Sequence, residues 1–328
     1  MVMKEVGSEF SLLNLDIGSG IEFPREGTLT FSGRTAIEAV LKEVPFAKTA
    51  LLPSYCCDSM IEPFRRAGIS VDFFSVNYQN EFAVDIRKKA DILLWCNFFG
   101  FKNEMPDFDG IIIEDITHSL FSDIQCHSRS DYLVASVRKW EPIYCGGYCS
   151  VVSNLCYPPK DFLEKKHLAM CLKTQYLGDH DKSKKPKFLS EFKACNTWLA
   201  DNYSGLGIDD YSRIYLTSFD IDKHKKARRK NACFLYEKLS EIACFLFPIE
   251  KMDCPLFVPI IINKDRDSVH KRLTENEIFC PIHWPHPNAN CKSNLYDTEL
   301  SLVCDQRYDL NDMERIVDVL SKLLFEKA

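Results

Sequence analysis

Short, nearly all-apolar segments alternate with helix-forming ones along most of this chain, and that alternation limits the available folds more than any other feature. Residues 49–52, 71–76, 92–96, 110–113, 132–135 and 148–152 read as strands. Between them, 58–67 reads as a helix stopped by Gly68, and Ala36, Ile37, Val40 and Leu41 recur at helical spacing after a start near 33–35. Strands apolar on both faces must be covered on both faces. The expected fold is therefore α/β, with a three-layer large domain around a mostly parallel sheet. Polar residues cluster where the strands end, and open α/β sheets keep their sites at carboxyl ends.

The stretch 158–207 is rich in Lys, Leu and Phe and lacks strand alternation, so it reads as helices with a mobile stretch near 178–186. A long helix is expected over 221–239. Strand and helix patterns then return: strands at 257–262 and 300–304, helices at 268–275 and 310–324, the last with an apolar stripe of Met313, Ile316, Val317, Leu320 and Leu323. This organisation predicts a large domain over 1–220, including the helical segment 158–207, and a smaller C-terminal α/β domain over 221–328.

Composition narrows the function. The net charge of −6 gives no support for a nucleic-acid partner. The basic runs 182–187 and 223–230 read as solvated surface. No apolar run reaches the ~18 residues of a membrane span, so no membrane partner is expected. The start, MVMKEVGSEF, lacks a signal-peptide pattern. Fifteen cysteines, many inside apolar segments, fit reduced, buried thiols in a cytoplasmic protein.

Several residues at strand and helix ends could carry chemistry. Lys139, in ASVRKWEPIYCGG, follows a buried strand and precedes a glycine pair. A lysine sheltered from bulk water there can act as a nucleophile toward an aldehyde; alone, it is also what a surface loop contains. Asp115 ends the strand of GIIIEDITHS, where a carboxylate must be exposed or paired. Its neighbour Glu114 points to the opposite face if the strand continues. His118 lies on the same rim. Gly33, Arg34 and Thr35 open the first helix, whose free amides suit a phosphate; Ser32 and Thr35 add hydroxyls and Arg34 adds charge. An ordinary helix cap explains the same residues. Tyr55, after Pro53-Ser54, could stack on a planar ring. Ser136 could donate to a phosphate. Arg229 and Arg307 are candidate carboxylate or phosphate clamps.

Taken in order, these residues resemble the fold-type-I pyridoxal-phosphate enzymes, most closely the DegT/DnrJ/EryC1/StrS sugar aminotransferases. The family's early Ser-Gly-Thr-Ala phosphate turn resembles Ser32-Gly33-Arg34-Thr35-Ala36, and its stacking aromatic falls on Tyr55. Its Glu-Asp-x-x-His/Gln element is matched by Glu114, Asp115 and His118, with Asp115 facing the pyridine nitrogen. Its serine, lysine and Gly-Gly fall on Ser136, Lys139, Gly146 and Gly147. The substrate loop resembles residues 278–283 and puts His283 on the substrate; the closing pattern is similar to Ser301, Leu302, Tyr308, Asp312 and Met313. The resemblance spans roughly residues 30–320. It implies pyridoxal 5'-phosphate held by Lys139 as a Schiff base, with the Lys139 amine also serving as proton carrier. It further implies a homodimer, an amino donor that is glutamate, and a keto acceptor on a sugar or nucleotide-linked sugar. The chain departs from the family pattern in Ala-Ser-Val-Arg-Lys before the lysine and in Val303 where a proline is usual.

Other readings stay open. Lys139 and Asp115 would equally serve elimination, decarboxylation or aldol-type cleavage of a small amino acid, or a non-catalytic relative. Cys280, His283, His286 and Cys291 have a spacing that can bind zinc, but Pro281, Pro285 and Pro287 stiffen the stretch, and no metal is expected.

Overall fold

The computed structural model describes residues 4–101, 103–123, 129–263 and 265–325. The elements in chain order are β1 (Val6–Gly7), β2 (Thr28–Thr30), α1 (Gly33–Glu43), β3 (Thr49–Pro53), α2 (Asp58–Arg66), β4 (Ser70–Tyr78), β5 (Phe82–Asp85), β6 (Ile92–Cys96), β7 (Ile111–Asp115), β8 (Tyr132–Ala135) and β9 (Gly147–Cys149). After them come α3 (Lys160–Asp179), α4 (Lys184–Asp201), α5 (Asp210–Ser218), α6 (Ile221–Leu239), β10 (Cys244–Phe245), β11 (Val258–Ile261), α7 (Arg266–Glu275), β12 (Ile278–Phe279), α8 (Leu295–Thr298), β13 (Glu299–Leu302) and α9 (Leu310–Phe325).

The central sheet has eight strands in the order β2-β9-β8-β7-β6-β3-β4-β5. Its middle, from β4 to β8, is parallel. The outer strands join through antiparallel pairings, β8 with β9, β9 with β2, and β4 with β5. Strands β6 and β7 are apolar because both faces are covered: Ile92, Leu93, Leu94, Ile112 and Ile113 are buried. The edge strands β2 and β5 were not apparent in the sequence. They are short, half-exposed and held by their neighbours, so they lack the double-sided apolar pattern. The parallel register sets Cys96 opposite Asp115 and Asp115 opposite Val134, so the carboxyl ends of β6, β7 and β8 open at one rim.

The helices α3 and α4 form an antiparallel hairpin. Across the stretch 178–186, α3 ends, a turn runs over 180–183 and α4 begins. His180 adopts the left-handed conformation (φ 56°) that ends α3. Pro186 lies in the first turn of α4, where no helical N–H is lost.

The C-terminal region packs a three-stranded antiparallel sheet, β10-β11-β13, with α6, α7 and α9. Its core holds Leu235, Val258, Ile260, Leu273, Leu300, Leu302, Met313, Ile316 and Leu320. Each such fully buried side chain contributes about 1.5–3 kcal/mol. Val6 joins this core, because β1 pairs in parallel with β12. The N-terminal segment thus crosses from one end of the sequence to the other. Among the described residues no helix is long and apolar enough to cross a membrane.

Candidate active site

A cleft opens at the carboxyl ends of β7 and β8. It is lined by Ser32, Gly33 and Arg34 from the start of α1, by Asp115, Thr117 and His118 after β7, and by Ser136, Arg138 and Lys139 after β8. Cys57, Cys96 and Trp284 are also in its wall. Seven residues predicted from sequence therefore meet here: Gly33, Arg34, Asp115, His118, Ser136 and Lys139, with Ser32 beside them.

Strand alternation decides which acid enters the cleft. Asp115 faces it. Glu114 faces the other way, fully buried, where Asn97 Nδ2 donates to its Oε1 at 2.7 Å and Ser130 Oγ to its Oε2 at 2.9 Å. The Asp115 Oδ1 accepts the Thr117 N–H at 2.9 Å. Burial pushes the Asp115 carboxyl above its ordinary range, and the Thr117 hydrogen bonds and the Lys139 charge pull the other way. Such a carboxylate is stabilised by any cation placed beside it.

Lys139 sits on a single 3-10 turn, Val137–Lys139. The Thr117 hydroxyl accepts the Ser136 N–H at 2.8 Å, and the Gly146 carbonyl accepts the Val137 N–H at 3.1 Å. The glycine pair has a steric cause: a Cβ on Gly147 would lie 2.4 Å from the Ser32 carbonyl oxygen. Gly33 faces a milder limit, since its Cβ would meet the Ser136 Cβ at 3.1 Å.

The start of α1 carries no acid in its first turn. Around it stand the Ser136 hydroxyl and two guanidinium groups. The Nε atoms of Arg34 and Arg138 are buried without a hydrogen-bond partner, and Arg34 Nε stays 3.9 Å from the Glu62 carboxylate. Donors left unpaired in this way are suited to an anion. Burial also draws the Arg138 guanidinium below its usual value. Sequence reasoning missed Arg138; its position one residue before the lysine was the available signal.

His118 is buried, and its Nδ1 accepts the Phe99 N–H at 3.1 Å. Burial, reinforced by the charge of Lys139 and by His283, holds the ring well below the usual histidine range, so it is neutral with a proton on Nε2. Its ring stacks on Trp284, centroids 5.6 Å apart.

Three expectations need correction. Tyr55 does not line the cleft. It lies wholly buried behind it, and its hydroxyl reaches the His283 carbonyl and, at 3.3 Å, Glu299 Oε2. The aromatic ring in the wall is Trp284, which arrives from the far end of the chain. Thr35 also turns inward: its hydroxyl donates to the Tyr203 carbonyl at 2.9 Å, and its N–H is capped by Ser32. Arg229 is on the outside of α6, where it donates to the carbonyls of Glu250 and Asp253. Its neighbour Arg228 is the buried one, lying 4.5 Å from the Trp140 ring.

A second, larger cavity lies on the other side of Lys139. Its lining includes Lys139, Arg138, Arg228, Phe257, His270, His283 and Arg307, and the N-terminal residues Ser8, Glu9 and Phe10. Arg307 is committed within the chain: it grips Asp305 through Nε at 2.9 Å and Nη2 at 2.7 Å and donates to the Ser8 and Glu9 carbonyls. Its place in the wall is that of a clasp on the N-terminal segment.

The cysteine–histidine cluster is dispersed. His283 Nδ1 is 2.8 Å from Ser301 Oγ, His286 pairs with Asp297 at 3.5 Å, and Cys291 neighbours the Tyr296 hydroxyl at 3.6 Å. Among the described residues no group of three or more His, Cys, Asp or Glu side chains is placed to hold a metal.

No protein-family model matches the chain, and no curated protein matches it. Solved structures do. Spr1654 of Streptococcus pneumoniae in its PLP form aligns with a TM-score of 0.64 at 11% identity, over 92% of this chain and 87% of that one. DesV of S. venezuelae in complex with a ketimine intermediate gives 0.63 at 13% identity, over 93% and 86%. A DegT DnrJ EryC1 StrS aminotransferase from Brucella abortus gives 0.57 at 13%, over 92% and 86%. At such identities the likeness is one of architecture: in fold, this chain is similar to the DegT/DnrJ/EryC1/StrS aminotransferases, the fold-type-I arrangement of pyridoxal-phosphate enzymes.

Proposed function

We propose that the protein is a pyridoxal-phosphate-dependent aminotransferase, with Lys139 as the covalent anchor of the cofactor and Asp115 as the partner of its ring nitrogen. The observation that carries this reading is the meeting of Asp115, Lys139 and two guanidinium groups, those of Arg34 and Arg138, whose Nε atoms have no hydrogen-bond partner, in one cleft at the start of α1. The donor set fits the cofactor: an anion site at one end, a buried carboxylate at the other, a lysine between and a Trp284–His118 wall.

When bound, pyridoxal phosphate supplies an electron sink that stabilises a carbanion on the carbon bearing the amine. The chain does the rest. The α1 amides, Ser136, Arg34 and Arg138 hold the phosphate. Asp115 keeps the ring nitrogen protonated. Neutral His118 offers its Nε2 proton to a ring oxygen. Once displaced by an amino substrate, the Lys139 amine is free to move a proton between substrate atoms. The second cavity, with Lys139 in its wall, takes the substrates.

The amino donor in this reading is glutamate and the acceptor a keto group on a sugar or nucleotide-linked sugar, supported by the sugar-aminotransferase structures that share the fold. The protein works as a homodimer whose partner copy borders the site. Fourteen described cysteines are free thiols, which suits the cytoplasm. The test is reduction of the cofactor-loaded protein with borohydride, followed by peptide mapping. A cofactor adduct on Lys139 is expected; an adduct on another lysine would overturn the reading.

A further inference from the structure

Between β13 and α9 the chain passes through residues 303–309, which form neither helix nor strand. Side chains leave this segment in two directions. Val303, Asp305 and Arg307 line the second cavity, beside Lys139. Cys304 and Gln306 alternate with them and bond elsewhere. The Cys304 thiol donates to the carbonyls of Pro255 and Leu256 at 3.6 and 3.9 Å. Gln306 Nε2 donates to the Trp140 carbonyl at 2.9 Å and to Glu141 Oε1 at 3.3 Å. One short segment therefore walls the cavity with one set of side chains and holds the residue after Lys139 with the other.

Trp140 is held at each of its polar groups. Its N–H donates to the Val137 carbonyl at 3.0 Å, which closes the turn that carries Lys139. Its indole donates to the Thr117 carbonyl. Its own carbonyl has two lone pairs, and takes Gln306 Nε2 at 2.9 Å and, more distantly, Arg228 Nη2 at 3.5 Å. The next residue, Glu141, is buried and also pairs with His224 Nδ1 at 2.9 Å. Gln306, Arg228 and His224 belong to the C-terminal region. These bonds join that region to the turn after β8.

Stability alone does not account for a glutamine at 306. Its Oε1 is buried and has no hydrogen-bond partner among the described residues, and an unpaired buried acceptor is destabilising. An apolar side chain of the same length would fill the space without that cost. The amide is explained by its donor end, which fixes the Trp140 carbonyl.

We propose that Gln306 is a positioning residue for Lys139: it sets the Lys139 turn against the wall of the second cavity, so that the lysine amine stands within proton-transfer reach of a substrate bound there. The proposal rests on the aminotransferase reading, in which that amine moves a proton between substrate atoms. Proton transfer needs the base within about 2.6–3.2 Å of its target. A displacement of about 1 Å can slow a reaction roughly 100-fold. Gln306 lines neither the cleft nor the second cavity. It acts through the Trp140 carbonyl, one residue beyond the lysine.

The experiment compares the unsubstituted protein with Gln306→Met and Cys304→Ala. Gln306→Met keeps the length of a half-buried side chain and loses the donor. Cys304→Ala empties a buried site on the same segment but leaves the Gln306 bonds in place, so it controls for general loosening. Deuterium exchange of the full-length proteins without cofactor is read on peptides covering 137–143. Exchange there should be roughly fivefold faster in Gln306→Met, the effect of one lost hydrogen bond, and unaltered in Cys304→Ala. Cofactor-loaded proteins mixed with L-glutamate then report single-turnover rates and, from their concentration dependence, the glutamate dissociation constant. At saturation Gln306→Met should convert roughly tenfold more slowly, with an unaltered dissociation constant. Cys304→Ala should melt at a lower temperature yet convert at the unsubstituted rate. Unaltered exchange or an unsubstituted rate in Gln306→Met, or an equal slowing in Cys304→Ala, would overturn the positioning role alone. Absence of cofactor on Lys139 of the unsubstituted protein, or no conversion of that loaded protein by glutamate, would instead overturn the aminotransferase reading and the role with it.

Discussion

Trp140 Nε1 donates to the Thr117 carbonyl at 2.6 Å, which ties the turn that carries Lys139 to the loop that follows Asp115 at the end of β7. The indole is fully buried, and Arg228 lies against its face. Trp140→Phe keeps most of the packing but leaves the carbonyl unpaired, which costs about 1–3 kcal/mol. Thermal unfolding should occur at lower temperature, and cofactor should be retained less well. An unchanged melting temperature would show that the tie is not structural.

Lys139→Ala should fold as the parent does, because the side chain is only half-buried and packs no core. Circular dichroism should be unaltered. Borohydride should then fix no cofactor on the protein.

Asp115→Asn should keep cofactor bound but slow turnover at least tenfold, since an amide cannot sustain a cationic ring nitrogen. Single-turnover rates of the two proteins are the comparison. Equal rates would move the role to another acid.

Replacing Arg138 by Met removes one guanidinium from the proposed anion site while keeping a long apolar stem. Hydrogen bonds to a charged group contribute about 1.5–3 kcal/mol. Affinity for pyridoxal phosphate should therefore fall roughly 10- to 100-fold. Affinity for pyridoxal, which lacks the phosphate, should not change. A parallel loss for both ligands would point to general damage.

Glu299 gives a pH prediction with a definite sign. Its folded value, about 8, lies above the ordinary 4.5. The unfolded chain therefore releases the proton first. Stability linked to this group is fully present below about pH 4.5 and is lost as pH rises through about 8. Melting temperatures of Glu299→Gln, measured over that window, should decline less than those of the parent. Parallel curves would mean that Glu299 does not titrate there.

Much of the cleft was legible because strand geometry is local. Alternation alone separates Asp115 from Glu114, and a short turn after β8 brings Lys139 to the same rim. Positions set by distant packing were not legible. Trp284 lies almost 170 residues from the Asp115 strand end in sequence, and no local pattern announces that its ring would occupy the wall while Tyr55 retreats behind it. Arg228 and Arg229 differ by one helical step, about 100° of rotation. Within the basic run 223–230 only Ala227 is apolar; the phase of α6 lies further along, in Ala232, Leu235 and Leu239, which put Arg228, four residues before Ala232, on the buried face. The edge strands escaped for a related reason, since an edge residue has no need of an apolar partner on both sides.

The docking of β1 on β12, with Arg307 clasping the carbonyls of Ser8 and Glu9, has a consequence for biosynthesis. Gly7 donates its N–H to the hydroxyl of Tyr308, 301 positions later in the chain. On a ribosome adding 5–20 residues per second, that hydroxyl emerges roughly 15–60 s after its partner. The central sheet has all its strands by then. The opening segment must wait beside it, and the second cavity acquires its wall only when the last portion of the polypeptide has been made.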